Sequence, residues 1–480
     1  MKLKELLAGI TILQCNASLE TEINEVRYAS NKVEAGDLFV AVTGYATDGH
    51  KYIPDAVKRG AAVILCERDM PEGTPWVRVA SARQALAQLG ANRFDHPARA
   101  MQVIGVTGTN GKTSVTYLLK ALLESAVGAK VGLIGTICNL IGDEVLPTER
   151  TTPESFELQG ILAKMRDAGC THVVMEVSSH ALFLHRVGEI PFRVGAFTNL
   201  TEDHLDFHGT MENYRRAKGL LFTRCERGVF NLDDPTAEQM MHDASCECYT
   251  VGTSQRAALR GTDIDLASDH VALTLREGDE TARLRLGIPG RFTVSNALVT
   301  VGIARQLGIS LQAAVAALSG AKGVKGRIEV VPTPEKDYTV LIDYAHTPDG
   351  LENVLRSVRD FCKGRLIVVF GCGGDRDRTK RPIMGHIAEQ LADVVIVTSD
   401  NPRTEEPMEI IRDILAGMER KPALVEENRR AAIRQALRYA QKDDIVLLAG
   451  KGHETYQILG TQKTHLDERE EVASALWENK

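Results

Sequence analysis

The chain of 480 residues carries a net charge of −7, with 44 % apolar and 25 % charged side chains, globular proportions that suit roughly two to four domains with cores of their own. The acidic balance argues against a general nucleic-acid binder, which needs a basic face, and no stretch approaches the ~20 apolar residues of a membrane span. Nine cysteines are scattered without C-x-x-C spacing, and the charged N-terminus lacks a signal-type apolar centre, so a reduced, cytoplasmic protein is expected.

Residues 1–97 read as a small α/β unit. Residues 37–43 and 61–66 are strand-like, and residues 53–60 between them have helical spacing. No catalytic constellation appears there, which suits a binding module or a purely structural domain. Pro97, in a polar stretch, marks the boundary to the next domain.

Residues 98–327 carry the chemistry. Val103, Ile104 and Val106 break into Gly108-Thr109-Asn110-Gly111-Lys112-Thr113-Ser114, after which Val115, Leu118, Leu119 and Leu122 recur at helical spacing. Strand, glycine turn, Lys-Thr and helix make a phosphate cradle. The glycines let backbone N–H groups approach an anion, and the helix start adds its positive end. Lys112 would neutralise the outer phosphates and Thr113 would sit on Mg²⁺. The common loop has glycine five positions before Gly111, where Val106 stands, so this loop is a shortened form.

Residues 131–136 form another strand and turn, and residues 150–155 a polar loop before a helix. Residues 172–176 are a β-branched strand ending in Glu176, at the sheet edge where ligands of parallel α/β proteins sit. An acid there is a natural second anchor for Mg²⁺. Asp203, His204, Asp206 and His208 crowd four polar groups into six positions, and a helix over residues 211–222 holds Lys218. Residues 228–285 alternate polar and apolar side chains and read as strands. Residues 288–298, with Asn296, open a helix.

Residues 328–480 form a second α/β array. Strands end at Asp343, Gly371, Asp400 and Gly450, alternate with helices, and put their following loops on one sheet edge. The glycines at 371–374 lack G-x-G-x-x-G spacing.

Thr107-Gly-Thr-Asn-Gly-Lys-Thr113, Glu176-Val-Ser-Ser-His180, Asn199-Leu-Thr-Glu-Asp-His-Leu-Asp206, Asp343-Tyr-Ala-His-Thr-Pro-Asp349 and Asp400-Asn-Pro-Arg403 occur in this order. The set resembles the Mur ligases of bacterial cell-wall synthesis over essentially the whole chain, and the shortened loop is that family's own form. The resemblance implies an α/β protein of three domains. These are a UDP-substrate domain over residues 1–97, a central P-loop-type ATPase with a mostly parallel sheet over 98–327, and a Rossmann-like amino-acid domain over 328–480.

The resemblance also implies the reaction: ATP phosphorylates the free carboxylate of UDP-N-acetylmuramoyl-L-alanyl-D-glutamate, and the amine of meso-2,6-diaminopimelate attacks the acyl phosphate. It carries Lys112, Glu176, His204 and Lys218 over as catalytic. Thr113, Glu176, His204 and Lys218, the last as a carbamate (N6-carboxylysine), stand on the Mg²⁺ side. Residues 108–114, Asn296, Arg327 and Asp343 fall to ATP. Ser30, Thr151, Thr152, Ser178 and Arg186 fall to the UDP substrate. Arg376, Asp400, Asn401, Pro402, Arg403, Gly450 and Glu454 fall to diaminopimelate. The distal carboxylate that separates diaminopimelate from lysine calls for a fixed guanidinium, and Arg403 in its proline-stiffened loop supplies one. A cytoplasmic monomer is implied.

Ala29, Asn31, residues 45–47 (Tyr-Ala-Thr), Leu184 and Lys325 depart from the family pattern. All but Lys325 touch the UDP side. Two other readings share the cradle: a folylpolyglutamate synthase-like ligase, and a P-loop ATPase acting on a protein partner. Neither uses Arg403.

Overall fold

The computed structural model describes residues 1–44, 47–70, 73–148, 150–321 and 323–478; Tyr45 and Ala46, noted above, lie outside them. The chain is α/β throughout and divides into two compact units. One comprises Met1–Val251 with Gly302–Ile309, the other Gly252–Val301 with Ser310–Lys480. No helix among the described residues is long and apolar enough to cross a membrane.

The first unit contains two sheets. The smaller has the strand order Ile12–Cys15, Trp76–Val79, Val63–Cys66, Leu38–Val40, Val26–Arg27, and only the first pairing is antiparallel. Alternating side chains serve its two faces. Leu38, Val40, Val63 and Leu65 pack with Leu86 and Leu89 of the helix Ala82–Arg93. Phe39, Ile64 and Cys66 pack with Ile53 and Ala56 on the other side.

The larger sheet has six parallel strands in the order Val131–Ile134, His172–Glu176, Gln102–Thr107, Phe192–Phe197, Cys225–Asn231, Glu247–Gly252. The antiparallel hairpin of Asn139–Ile141 and Glu144–Leu146 extends its first edge. The apolar runs at 103–106 and 173–175 suit central strands covered on both faces. All six strands point the same way, so the loop after Thr107, the end of Glu176 and residues 198–201 share one edge.

A row of glycines runs across this sheet: Gly105 is opposite Gly195, and Gly195 opposite Gly228. A Cβ on Gly105 or Gly195 would press on Leu221, so the chain following Lys218 lies directly on the strands. That segment is not one helix over 211–222. The α-helix ends at Gly219 and a 3₁₀ turn, Leu220–Thr223, takes over to bring Leu221 and Phe222 down onto the sheet. Residues 228–285 are likewise not all strand. A helix, Thr236–Asp243, intervenes, begun by Asp234, whose carboxylate accepts the Thr236 N–H and hydroxyl.

The second unit opens with an antiparallel meander, Leu259–Leu266, Val271–Glu277 and Glu280–Leu286. Its main sheet runs Glu329–Val331, Thr339–Asp343, Ile445–Ala449, Leu366–Phe370, Val394–Thr398, Leu424–Glu426, all parallel after the first pair. Apolar clusters cover both faces. Asp343, Gly371, Asp400 and Gly450 therefore stand on one edge, as their spacing predicted.

Candidate functional site

The phosphate loop is built by backbone. Gly108 and Gly111 have φ of +147° and +85°, and a Cβ at Gly108 would overlap the Thr198 hydroxyl. Residues 198–201 clamp the loop from the neighbouring strand. Thr198 Oγ1 donates to the Asn110 carbonyl at 2.6 Å, Asn199 Oδ1 accepts the Asn110 N–H at 2.9 Å, and the Thr109 N–H donates to the Asn199 carbonyl at 2.8 Å. Lys112 opens the helix Lys112–Val127, with Thr113 and Ser114 in its first turn. Its ammonium turns back to the carbonyls of Gly108 at 2.9 Å and Thr109 at 2.8 Å.

Glu176 is buried at the end of its strand and is a meeting point. Its Oε1 accepts the Thr113 hydroxyl at 2.9 Å and the Thr136 N–H at 2.9 Å; its Oε2 accepts the Thr136 hydroxyl at 2.9 Å. Thr136 Oγ1 also lies 3.1 Å from Thr151 Oγ1. One hydroxyl has one proton, so Thr151 donates there. Thr152 Oγ1 donates to the Glu176 carbonyl at 2.8 Å and accepts the Ser178 N–H at 3.2 Å. Thr113, Glu176, Thr151, Thr152 and Ser178 thus form one connected network.

Lys218 is buried, and its Nζ donates to the Gly108 carbonyl at 2.8 Å, the same oxygen that Lys112 uses. It stands 4.4 Å from the centre of the Tyr214 ring. Burial first, and then the Lys112 ammonium, hold its pKa well below the usual lysine range. His204 is half-exposed, in left-handed backbone (φ +53°), with Asp203 Oδ2 at 3.4 Å and the His180 ring at 4.9 Å. His208 is buried against Ser179 Oγ at 2.9 Å. Burial, then the charges of His180 and Lys218, push its pKa down to about 4.

A cleft of about 600 Å³ opens within the first unit and is lined by Ser30 and Arg186, together with the departures Ala29, Asn31 and Leu184. Its charge is supplied by Arg83, Arg150 and Arg186 around a single acid, Glu154, at 3.6, 4.0 and 3.4 Å. Arg83 Nη1 and Arg186 Nε are buried and share the one Glu154 carboxylate at ion-pair rather than hydrogen-bond geometry, so three cations face one acid, an arrangement that favours an anionic ligand. Arg83, Arg150, Glu154 and Thr136 were missed in the sequence. An arginine in the first turn of a helix, such as Arg83, or in a polar loop, such as Arg150, carries no local signal, though Thr136, in a Gly-Thr turn after a strand, could have been found.

In the second unit the 400–403 turn is stitched on every side. Asn401 Nδ2 donates to Glu454 Oε2 at 2.9 Å. Its Oδ1 accepts from buried Lys451 at 3.1 Å and from the Ile458 N–H at 3.0 Å. Pro402 is buried, and Arg403 adopts φ +53°. Arg403 pairs by backbone with the hairpin Tyr456–Leu459 and Gln462–His465, while its Nη1 reaches the Gly374 carbonyl at 2.9 Å. Asp400 Oδ2 is buried with no hydrogen-bond partner, and Gly450 leaves room beside it: a Cβ there would stand 2.8 Å from that oxygen. Arg376 is exposed on the adjoining loop.

Elsewhere on that edge, Asp343 accepts the N–H groups of Ile328 at 2.8 Å and Ala345 at 2.9 Å. Burial raises its pKa, with Arg327 opposing. Arg327 lies 5.5 Å from the Tyr344 ring centre. Asn296 is buried in the helix Arg291–Gln306. Lys451 and Tyr344 were also missed; Lys451, flanked by two glycines after a strand, had a usable signal.

Three family models match the chain: the Mur ligase middle domain over residues 106–304, the Mur ligase glutamate ligase domain over 326–452, and the Mur ligase family catalytic domain over 22–94. The chain is 46 % identical to a Clostridium acetobutylicum protein named UDP-N-acetylmuramoyl-L-alanyl-D-glutamate--2,6-diaminopimelate ligase 1, with 100 % of each chain covered. It is 44 % identical to a Clostridium tetani protein of that name without the numeral, again over 100 % of both. A solved structure carrying the same ligase name superposes with a TM-score of 0.74 at 32 % identity, covering 100 % of this chain and 99 % of that one. A folylpolyglutamate synthase of Mycobacterium tuberculosis reaches a TM-score of 0.60 at 18 % identity, covering 76 % and 92 %, and shares the fold.

Proposed function

This chain belongs to the Mur ligase family, and on that premise we propose that it joins meso-2,6-diaminopimelate to UDP-N-acetylmuramoyl-L-alanyl-D-glutamate at the expense of ATP. That step belongs to peptidoglycan precursor synthesis, on which cell shape and division depend. The observation that carries the choice among relatives is the 400–403 turn. It holds Arg403 in a non-glycine left-handed conformation, in the same turn as Asp400, whose Oδ2 is buried without a hydrogen-bond partner. A guanidinium fork and a carboxylate are what a second carboxylate and an ammonium on one ligand require.

The substrate carboxylate attacks the γ-phosphorus and ADP leaves. The amine then attacks the acyl carbon, and loss of phosphate and a proton leaves the amide. The protein mostly positions and neutralises. The 108–111 loop cradles phosphates, Lys112 swings from the loop carbonyls to the outer phosphates, and the three cleft arginines hold the anionic nucleotide-sugar. Arg403 and Asp400 fix the amino acid, with Glu454 held ready by Asn401 and Lys451.

The Thr113 hydroxyl and Glu176 carboxylate, in mutual contact, suit Mg²⁺, a cation that takes few protein oxygens and completes its shell with water and phosphate. Bound there, the ion would neutralise charge on the phosphates. A neutral Lys218 amine is the form that adds CO₂, and its carbamate would bring two more oxygens to the same loop; His204 is a further candidate on that side. We read residues 1–97, 98–327 and 328–480 as modules for the nucleotide-sugar, ATP and the amino acid. A separate sheet over residues 12–79 supports the first. All nine cysteines are unpaired, which supports a cytoplasmic setting, and we assign a monomer.

Phosphate release tests the reading. It should require ATP, the UDP-muramoyl dipeptide and diaminopimelate together. Release without an amine acceptor would favour an ATPase acting on a protein partner.

A further inference from the structure

Beneath the rim of the substrate cleft, and not lining it, lies a histidine with no assigned role. The His50 side chain is 7 % exposed. Its Nδ1 is 2.7 Å from Asp48 Oδ1, and its Nε2 receives the backbone N–H of Glu67 at 3.0 Å. An N–H pointing at Nε2 demands a lone pair there, so the ring is neutral and carries its proton on Nδ1. Asp48 is the partner for that proton. Its carboxyl is held down to about 2, first by the His50 backbone N–H and then by the His50 ring.

The two ends of this bridge control different walls of the cleft. Asp48 pairs with Thr43 as a β-bridge, and their neighbours Gly44 and Thr47, joined by a backbone hydrogen bond of 2.8 Å, line the cleft. Glu67, fixed through its backbone by His50, uses its carboxylate twice: Oε2 accepts the Thr43 hydroxyl at 2.8 Å, and Oε1 accepts the Ala82 N–H at 2.8 Å, at the start of the helix Ala82–Arg93. Arg83, the next residue, donates its Nε to the Thr43 carbonyl at 3.0 Å and leaves Nη1 buried at the cleft, with the Glu154 carboxylate at 3.6 Å. The rim residues Thr43 and Asp48 and a cleft cation are thus tied to one ring.

We propose that His50 is a positioning residue for the nucleotide-sugar substrate, holding the rim residues Thr43 and Asp48 and the Arg83 side chain in register through its Nε2 bond to Glu67. The proposal rests on the reading of this cleft as the UDP-substrate site. It assigns His50 an effect on one substrate of three.

Two conservative replacements separate the ring's two bonds. His50→Gln places an amide oxygen where Nε2 stood and retains an acceptor for Glu67. His50→Asn reaches only as far as Nδ1 and keeps the Asp48 donor. In steady-state assays of the full-length enzyme, His50→Asn and His50→Ala should raise KM for UDP-N-acetylmuramoyl-L-alanyl-D-glutamate about tenfold, the scale of one lost buried hydrogen bond. The value of kcat and the KM for ATP should stay within about twofold. His50→Gln should stay near wild type. The affinity of UDP-N-acetylmuramoyl-L-alanyl-D-glutamate, measured by calorimetry, should follow the same order, while thermal midpoints track whether each variant folds. His50→Asn with wild-type KM overturns the proposal, as does a His50→Gln variant as impaired as His50→Asn. If His50→Ala fails to fold, the Asn and Gln pair still decides. Wild-type protein that binds no UDP-muramoyl dipeptide would instead overturn the reading of the cleft itself, and the proposal with it.

Discussion

The phosphate loop and the 400–403 turn both offer a cation at the end of a parallel strand, by opposite means. In the first, the shape is set by backbone: two glycines, a clamp of carbonyls and N–H groups from residues 198–201, and a lysine that folds back on its own loop. In the second, the shape is set by side chains. Arg381, fully buried, grips Glu405 through both nitrogens at 2.8 and 2.9 Å. Glu405 in turn accepts the Asp375 N–H at 2.6 Å, and Thr404 donates to Asp375 at 2.7 Å. A backbone cradle with a point charge suits phosphate wherever it occurs. A guanidinium braced by a network suits one carboxylate in one place.

The largest expected effect lies in the first region. Lys112→Ala should lower kcat/KM by about a thousandfold or more, equally for every amine acceptor, as read by ADP formation. A loss that depends on the acceptor would break the division of labour. Next, Arg403→Lys keeps the charge but not the fork. It should raise KM for diaminopimelate about a hundredfold and leave KM for ATP unchanged, as steady-state titration of each substrate would show. Glu405→Gln removes half of the brace without touching ligand. A several-fold rise in KM for diaminopimelate is expected, with a fall of a few degrees in thermal midpoint. An unchanged KM would mean that the turn needs no brace.

The smallest effect is one of pH. Neutral His208, with its pKa pushed down to about 4 from 6.5, resists a proton that the unfolded chain accepts. Stability should therefore be intact above pH 6.5 and fall as the pH drops from there towards 4, by up to about 3 kcal/mol. His208→Gln should flatten that stretch of a chemical-denaturation series.

The same contrast governs what could be read in the sequence. Gly108, Gly111 and Lys112 were legible because strand, turn and helix are consecutive, and their chemistry follows from local backbone. Glu176 was legible as an acid at a strand end. The assignments of Ser30, Arg186 and Arg403 came from resemblance rather than spacing. Arg83, Arg150 and Glu154 meet only because the helix Ala82–Arg93 and the loop before residue 155 pack in one unit, a non-local event that no spacing encodes. Arg381 reads as an ordinary surface cation on a helix and becomes visible only with Glu405 and Asp413 around it. The helix Thr236–Asp243 was hidden in polar alternation because its start depends on a single acid, Asp234.

The proposed selector of the amino acid is Arg403. The most direct measurement offers diaminopimelate and lysine in equal concentration to the full-length enzyme, with ATP and the UDP-muramoyl dipeptide, and weighs the products by mass spectrometry. Diaminopimelate product is expected in at least about a hundredfold excess, an excess that Arg403→Ala abolishes. Comparable lysine product from the wild-type enzyme would contradict it.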